Sequence, residues 1–161
     1  MAEPRKLRAP EVNPESKPFW DAATEGRLLI KRCTACGDAH YYPRTICPYC
    51  GSSDTVWETS AGLGEIYTLS TLRRGPNAPF TLAYVTLDEG PTMITNITDC
   101  DPDSLAIGQR VKLRFVASDG GIRGPYLEAA MQKVRADNPG LKATDMELAN
   151  AILAKNAVAS E

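Results

Sequence analysis

The chain has 161 residues, 43% of them hydrophobic, and carries 18 Lys and Arg against 20 Asp and Glu for a net charge of −2. That length suits one ordinary domain, or a small module joined to a compact one, and the charge balance is not the basic footprint of a general nucleic-acid binder. No stretch reaches the roughly 18 apolar residues that span a bilayer, and the opening MAEPRKLRAPEVNPESKPF lacks the apolar run of a secretory signal.

A cytoplasmic protein with reduced thiols is therefore expected. Residues 1–16 hold three prolines and few apolar anchors, so they are expected to be extended or disordered until a partner holds them. SKPFWDAATEGRL then offers Ser16 as N-cap, Pro18 in the first turn and Gly26 as a stop. Phe19, Trp20 and Ala23 share one side of that short helix, which is not stable alone. It docks either on the body of this chain or on another subunit.

Next comes CTACGDAHYYPRTICPYCG, with Cys33-x-x-Cys36 and Cys47-x-x-Cys50. Two facing C-x-x-C turns bring four sulfurs to tetrahedral corners, the geometry of a closed structural Zn²⁺ site. Gly37 and Gly51 each follow the second cysteine of a pair, where the turn calls for a positive φ. A thioredoxin-like redox site needs one such pair in a βαβ setting, not two in series. A rubredoxin-like iron also accepts four thiolates. A closed site leaves no open position for substrate, so the metal is scaffolding and not a catalyst. His40, the single histidine, lies between the pairs and is read as a packing residue. Tyr41 and Tyr42 are candidate partner anchors, with alternation in a hairpin sending one inward and one outward.

RLLIKRC and TVWETS read as strands leading into and out of this module, and SAGLG (60–64) as a hinge. Strand candidates follow at 65–74, 80–88, 92–98, 110–117 and 125–132. The fourth alternates cleanly, with Val111, Leu113 and Phe115 on one face and Lys112 and Arg114 on the other. DCDPDSLAIG reads as one helical turn between the third and fourth strands, which is the order of an OB-type barrel. Asp88 and Glu89 are read as a solvated turn, and Cys100 as a buried, inert thiol. In the tail, Thr144 and Glu147 form a capping box, and Met146, Ala149, Ile152 and Leu153 make a narrow apolar stripe. That helix is read as folding back on the barrel, the alternative being a partner.

The expected fold is mainly β. An N-terminal arm and helix takes 1–32, a rubredoxin-like zinc ribbon 33–59, a five-stranded OB-fold barrel 60–135 and a C-terminal helical tail 136–161. The combination of FW in the leading helix, the paired C-x-x-C-G units, PFTLAYVTLDEGP and DPDSLAIGQRVKLRF resembles the zinc-ribbon plus OB-fold family that accompanies thiolase-like enzymes, formerly a domain of unknown function. The resemblance covers about residues 16–132. It implies a non-catalytic subunit that binds a thiolase or a steroid side-chain retro-aldolase, in some members a hot-dog-fold hydratase, and helps form an acyl-CoA entrance. The tail departs from the shorter members.

The residues agree with an accessory role. No Ser–His–Asp set is read around the single histidine, and neither a G-x-x-x-x-G-K loop nor a G-x-G-x-x-G fingerprint occurs. Candidate site residues are Cys33, Cys36, Cys47 and Cys50 for metal, Arg73 and Arg74 for CoA phosphates, and Phe19, Trp20, Tyr41 and Tyr42 for a partner, with no catalytic residue. The competing expectation is single-stranded nucleic-acid binding, which needs exposed aromatics such as Tyr67, Tyr84 or Phe115 in a positive groove.

Overall fold

The computed structural model describes residues 8–75, 78–98, 100–119 and 121, and residues 123–128 as backbone. The C-terminal helix expected over 136–161 lies outside them. In chain order the elements are α1 (Lys17–Thr24), β1 (Leu29–Cys33), β2 (Ala39–His40), β3 (Thr55–Thr59), β4 (Leu63–Leu72), β5 (Phe80–Leu87), β6 (Thr92–Thr98), a 3-10 turn (Pro102–Ser104), β7 (Arg110–Ala117) and β8 (Arg123–Glu128). Among the described residues the architecture is mainly β, with one α-helix ahead of two sheets.

Among the described residues of the arm before α1, 8–13 are without regular secondary structure, as expected, and two hydrogen bonds tie the arm to the chain itself without a partner. Ala9 N–H donates to Asp119 Oδ1 at 2.8 Å, at the end of β7. Glu15 accepts from Thr45 N–H at 2.5 Å, on the cysteine module. Ser16 stands at the N-cap, but its hydroxyl serves the preceding turn with Asn13 and not the helix. Pro18 sits in the first turn, where its missing N–H costs nothing. The helix stops at Gly26, with Gly26 and Arg27 N–H returning to the Ala23 and Ala22 carbonyls, a paired closure typical of helix ends. Its buried face is Phe19, Ala22 and Ala23.

The first sheet is β2-β1-β3, all antiparallel. In the second, β4 pairs β5, β5 pairs β6, β6 pairs β8 in parallel, β8 pairs β7, and β7 returns to β4 through Leu63↔Lys112. The five strands thus close on themselves. With the 3-10 turn between the third and fourth of them, this is the strand order of an OB-type barrel. The β7 alternation holds: Val111 is buried, and Leu113 and Phe115 pack inward beside it. The β4 alternation runs through exposed Tyr67 and breaks at Thr68, which is exposed as well, where a bulge between Ile66 and Thr68 shifts the register with β5.

Two cores stack along the barrel. One is Ile66, Ala83, Val85, Ile97 and Val111, closed by Leu105 and Cys100 beside the 3-10 turn. The other joins Leu87 and Met93 of the barrel to Phe19 of α1 and to Leu28 and Ile30 leading into the first sheet. Phe19 therefore corks one end of the barrel and belongs to all three parts at once.

Candidate metal centre

β1 ends on Cys33, so sheet pairing fixes where the first ligand sits. Two turns of the same construction then present the sulfurs. Gly37 N–H donates to the Cys33 carbonyl at 2.9 Å and Gly51 N–H to the Cys47 carbonyl at 3.0 Å. Cys33 N–H bonds Asp38 O, and Cys47 N–H bonds Ser52 O, at 2.9 and 2.8 Å. Gly37 and Gly51 hold φ of +84° and +77°, which a side chain would strain.

The four Sγ atoms lie within 4.8 Å of one another. Cys33 and Cys50 are 3.6 Å apart, and Cys36 and Cys47 3.7 Å. Zn–S bonds of about 2.3 Å give a tetrahedron with edges of about 3.8 Å, so the cage fits zinc. The thiols also need a cation electrostatically. Backbone N–H of Cys36, with Ala35 adding, pulls Cys33 down to about 7. Asp38 N–H acts the same way on Cys36, but burial and the three neighbouring thiols outweigh it and push Cys36 up to about 12. Four thiolates cannot crowd together uncompensated, and a dication reverses that penalty. With four sulfurs in place, a bound zinc has no open position, and what it supplies is cross-linking of the two turns.

His40 is buried on β2, with Nε2 against the Arg44 backbone, and stands outside the sulfur cluster. Tyr41 and Tyr42 follow β2 and lie off any strand, so alternation does not apply. Both rings face Phe19, at 5.9 and 5.3 Å between centroids. Trp20 packs edge-on to Phe19 at 4.9 Å and donates through Nε1 to Tyr42 Oη at 2.9 Å. Burial, with Tyr42 next, pushes the Tyr41 hydroxyl up to about 12, keeping it neutral. Of these four candidate partner residues, Phe19 is wholly inside the chain's own core, while the other three are half-buried.

The expected hinge at 60–64 is instead a clamped joint. Ser60 is buried, its N–H bonds Leu28 O at 2.8 Å, and its Oγ donates to Glu89 at 2.9 Å. Glu89 also accepts from Ala61 N–H at 2.6 Å. Arg32 on β1 holds Glu58 on β3 and reaches the Glu89 carbonyl at 3.5 Å. Asp88 meets Arg110 through two parallel bonds of 2.6 Å. Asp88 and Glu89 do lie in a turn, with Asp88 exposed and Glu89 half-buried, but both also hold partners 22 and 28–29 residues away, beyond any local sequence signal.

Arg73 follows β4 and pairs with exposed Asp103, and Arg74 beside it is exposed. Cys100 is half-buried against the barrel core, and burial, with Asp101 next, raises its thiol. Tyr67 and Tyr84 point outward from the barrel, while Phe115 packs in. No helix among the described residues is long and apolar enough to cross a membrane.

A four-cysteine ribbon sharing a core with a five-stranded barrel defines a zinc-ribbon, OB-fold protein. The rubredoxin-like zinc ribbon domain of ChsH2 matches residues 20–56, and the C-terminal OB-fold domain of ChsH2 matches residues 57–116. A protein of unknown function, DUF2388, matches residues 108–154. The chain belongs to the DUF35 family. It is 32% identical over 118 residues to a DUF35 domain-containing scaffold protein of Pyrococcus furiosus, covering 67% of this chain and 87% of that one. It is 33% identical over 135 residues to a probable enoyl-CoA hydratase alpha subunit of Thermomonospora curvata, covering 80% of this chain but only 42% of that relative's length. Among solved structures it resembles a chain of the Ltp2-ChsH2(DUF35) aldolase, with a TM-score of 0.68 and 32% identity over 76% of this chain and 99% of that one.

Proposed function

We propose that the chain is a non-catalytic subunit that binds a thiolase-like enzyme of acyl-CoA metabolism and helps shape its substrate entrance. The observation that carries this reading is the likeness, over 99% of its length, to the ChsH2(DUF35) chain solved with Ltp2 as an aldolase. A relative described as a scaffold protein supports the same role, and one described as a hydratase alpha subunit leaves a hydratase as a further neighbour in the assembly. The chain's own chemistry is consistent with it: four of its five thiols cluster in one cage, and its one histidine is buried against backbone.

Within that assembly Arg73 and Arg74, at the end of β4, would meet CoA phosphates. Asp103 already occupies Arg73, so Arg74 is the freer cation and the first to engage. Half-buried Trp20, Tyr41 and Tyr42 remain the aromatic surface offered beside the ribbon. The nucleic-acid reading loses ground because Tyr67 and Tyr84 stand on a sheet face without Lys or Arg at its strand positions, whereas phosphate binding is dominated by such cations.

Co-expression with a thiolase-like enzyme from the same host tests the proposal. Both proteins should co-purify, and acyl-CoA turnover should require both. Turnover by this chain alone, or no association, overturns it. In the complex, Arg73→Ala with Arg74→Ala should raise KM for the acyl-CoA several-fold with kcat little changed; an unmoved KM removes that role.

A further inference from the structure

The outer face of β4, β5 and β6 holds no Lys or Arg and exposes several large apolar side chains among Thr, Ser and Asn. Tyr67, Leu72, Leu82, Tyr84 and Ile94 are 69, 50, 39, 48 and 53% exposed. Register groups them: Tyr84 lies between Thr68 and Ile94, and Leu82 between Ser70 and Asn96. These two central rows carry no charge, and charge enters at their two ends, where Glu65 lies between Thr86 and Arg110 and where Arg73 and Arg74 follow Leu72. Solvated sheet faces normally carry Lys and Glu, so an uncharged face with this many exposed large apolar side chains marks something that covers it.

The fold says what lies within reach. β8 runs parallel to β6 and pairs Leu127 with Ile97 and Glu128 with Thr98. The chain therefore leaves the barrel where β6 ends, β5 begins and Leu72 ends β4, at one end of this face. Residues 129–161 follow. Residues 129–143 can span up to about 50 Å. After them come Met146, Ala149, Ile152 and Leu153 at helical spacing, with Asp145, Glu147 and Lys155 off that stripe. At 1.5 Å per residue the stripe is about 10 Å long, and Leu82 to Thr86 on β5 is about 13 Å. A tethered segment also acts at an effective concentration of order mM, well above that of a second copy in solution.

We propose that residues 144–155 seat Met146, Ala149, Ile152 and Leu153 on the β4–β5–β6 face of their own chain, covering Leu82, Tyr84 and Ile94. The test uses the full chain with Tyr84→p-benzoylphenylalanine, irradiated and mapped by mass spectrometry, and Tyr49→p-benzoylphenylalanine on the ribbon as control. Position 84 should capture residues 144–155 at the mass of one chain, and position 49 should not. Ile152→Asp with Leu153→Asp should cut the capture severalfold and raise binding of an apolar dye to the freed face. A product of two-chain mass, capture of a co-purified enzyme in place of the tail, capture unaffected by the double substitution, or no capture overturns the proposal.

Discussion

Ion pairs in this molecule differ in worth because their surroundings differ. Lys17 and Asp21 are both more than half exposed, and such a pair contributes a few tenths of a kcal/mol. Arg110 is 13% exposed and bound by both Asp88 oxygens, so it needs that carboxylate to stay paired inside. Arg32 and Glu58 lie between, each about a third exposed. The Arg32 hydrogen bond holds Glu58 below its ordinary 4.5, with burial opposing. A depressed carboxyl stabilises the fold above its unfolded value and loses that contribution as pH falls through the folded one. Glu58→Gln should therefore unfold at lower urea near neutrality, by up to about 1 kcal/mol, and the gap should close below 4.5. A gap that persisted in acid would assign the effect to packing. The cysteines were legible because C-x-x-C-G is a local motif whose chemistry follows from spacing alone. Arg110 with Asp88, and Glu89 with Ser60, were not, because each bond joins residues far apart in sequence that only the strand pairing brings together, β7 on β4 for the first and β4 on β5 for the second.

At the scale of elements, strands with plain alternation were readable to the residue, and β6 and β7 fall on the expected 92–98 and 110–117. The stretch after Tyr67 was not, since a bulge inserts one residue there and leaves Thr68 exposed beside Tyr67, against the alternation. The segment between β3 and β4 misled for another reason: small residues suggested a swivel, whereas here they permit close approach. Gly62 has φ +71°, and a Cβ there would stand 2.7 Å from Leu113 Cβ. Left-handed strain and overpacking add, so Gly62→Ala should cost about 2–4 kcal/mol, read from urea midpoints. A loss within about 0.5 kcal/mol, as at an ordinary surface site, would restore the swivel.

For the whole molecule, the metal and the barrel are energetically coupled. Zinc binding at such a site is worth on the order of 10 kcal/mol, comparable to the total stability of a domain. The ribbon reaches the barrel through Phe19, Leu28 and Ile30 packed on Leu87 and Met93, so loss of the metal should be felt in the barrel. Tryptophan emission from Trp20 and Trp57 reports the helix and ribbon, while far-UV circular dichroism reports mostly the barrel. The two should trace one urea transition, and chelation should move both to lower urea. Two separate transitions would sink the coupling. Elemental analysis should find one zinc per chain, and Cys47→Ser should abolish stoichiometric binding.

Phe19 also bears on how such a protein can be re-engineered. Its ring is common property of helix, finger and cylinder, so none of the three is a cassette. Anyone transplanting the finger onto a foreign cylinder would have to carry the helix along and recreate a socket like that of Leu87 and Met93 at the receiving end.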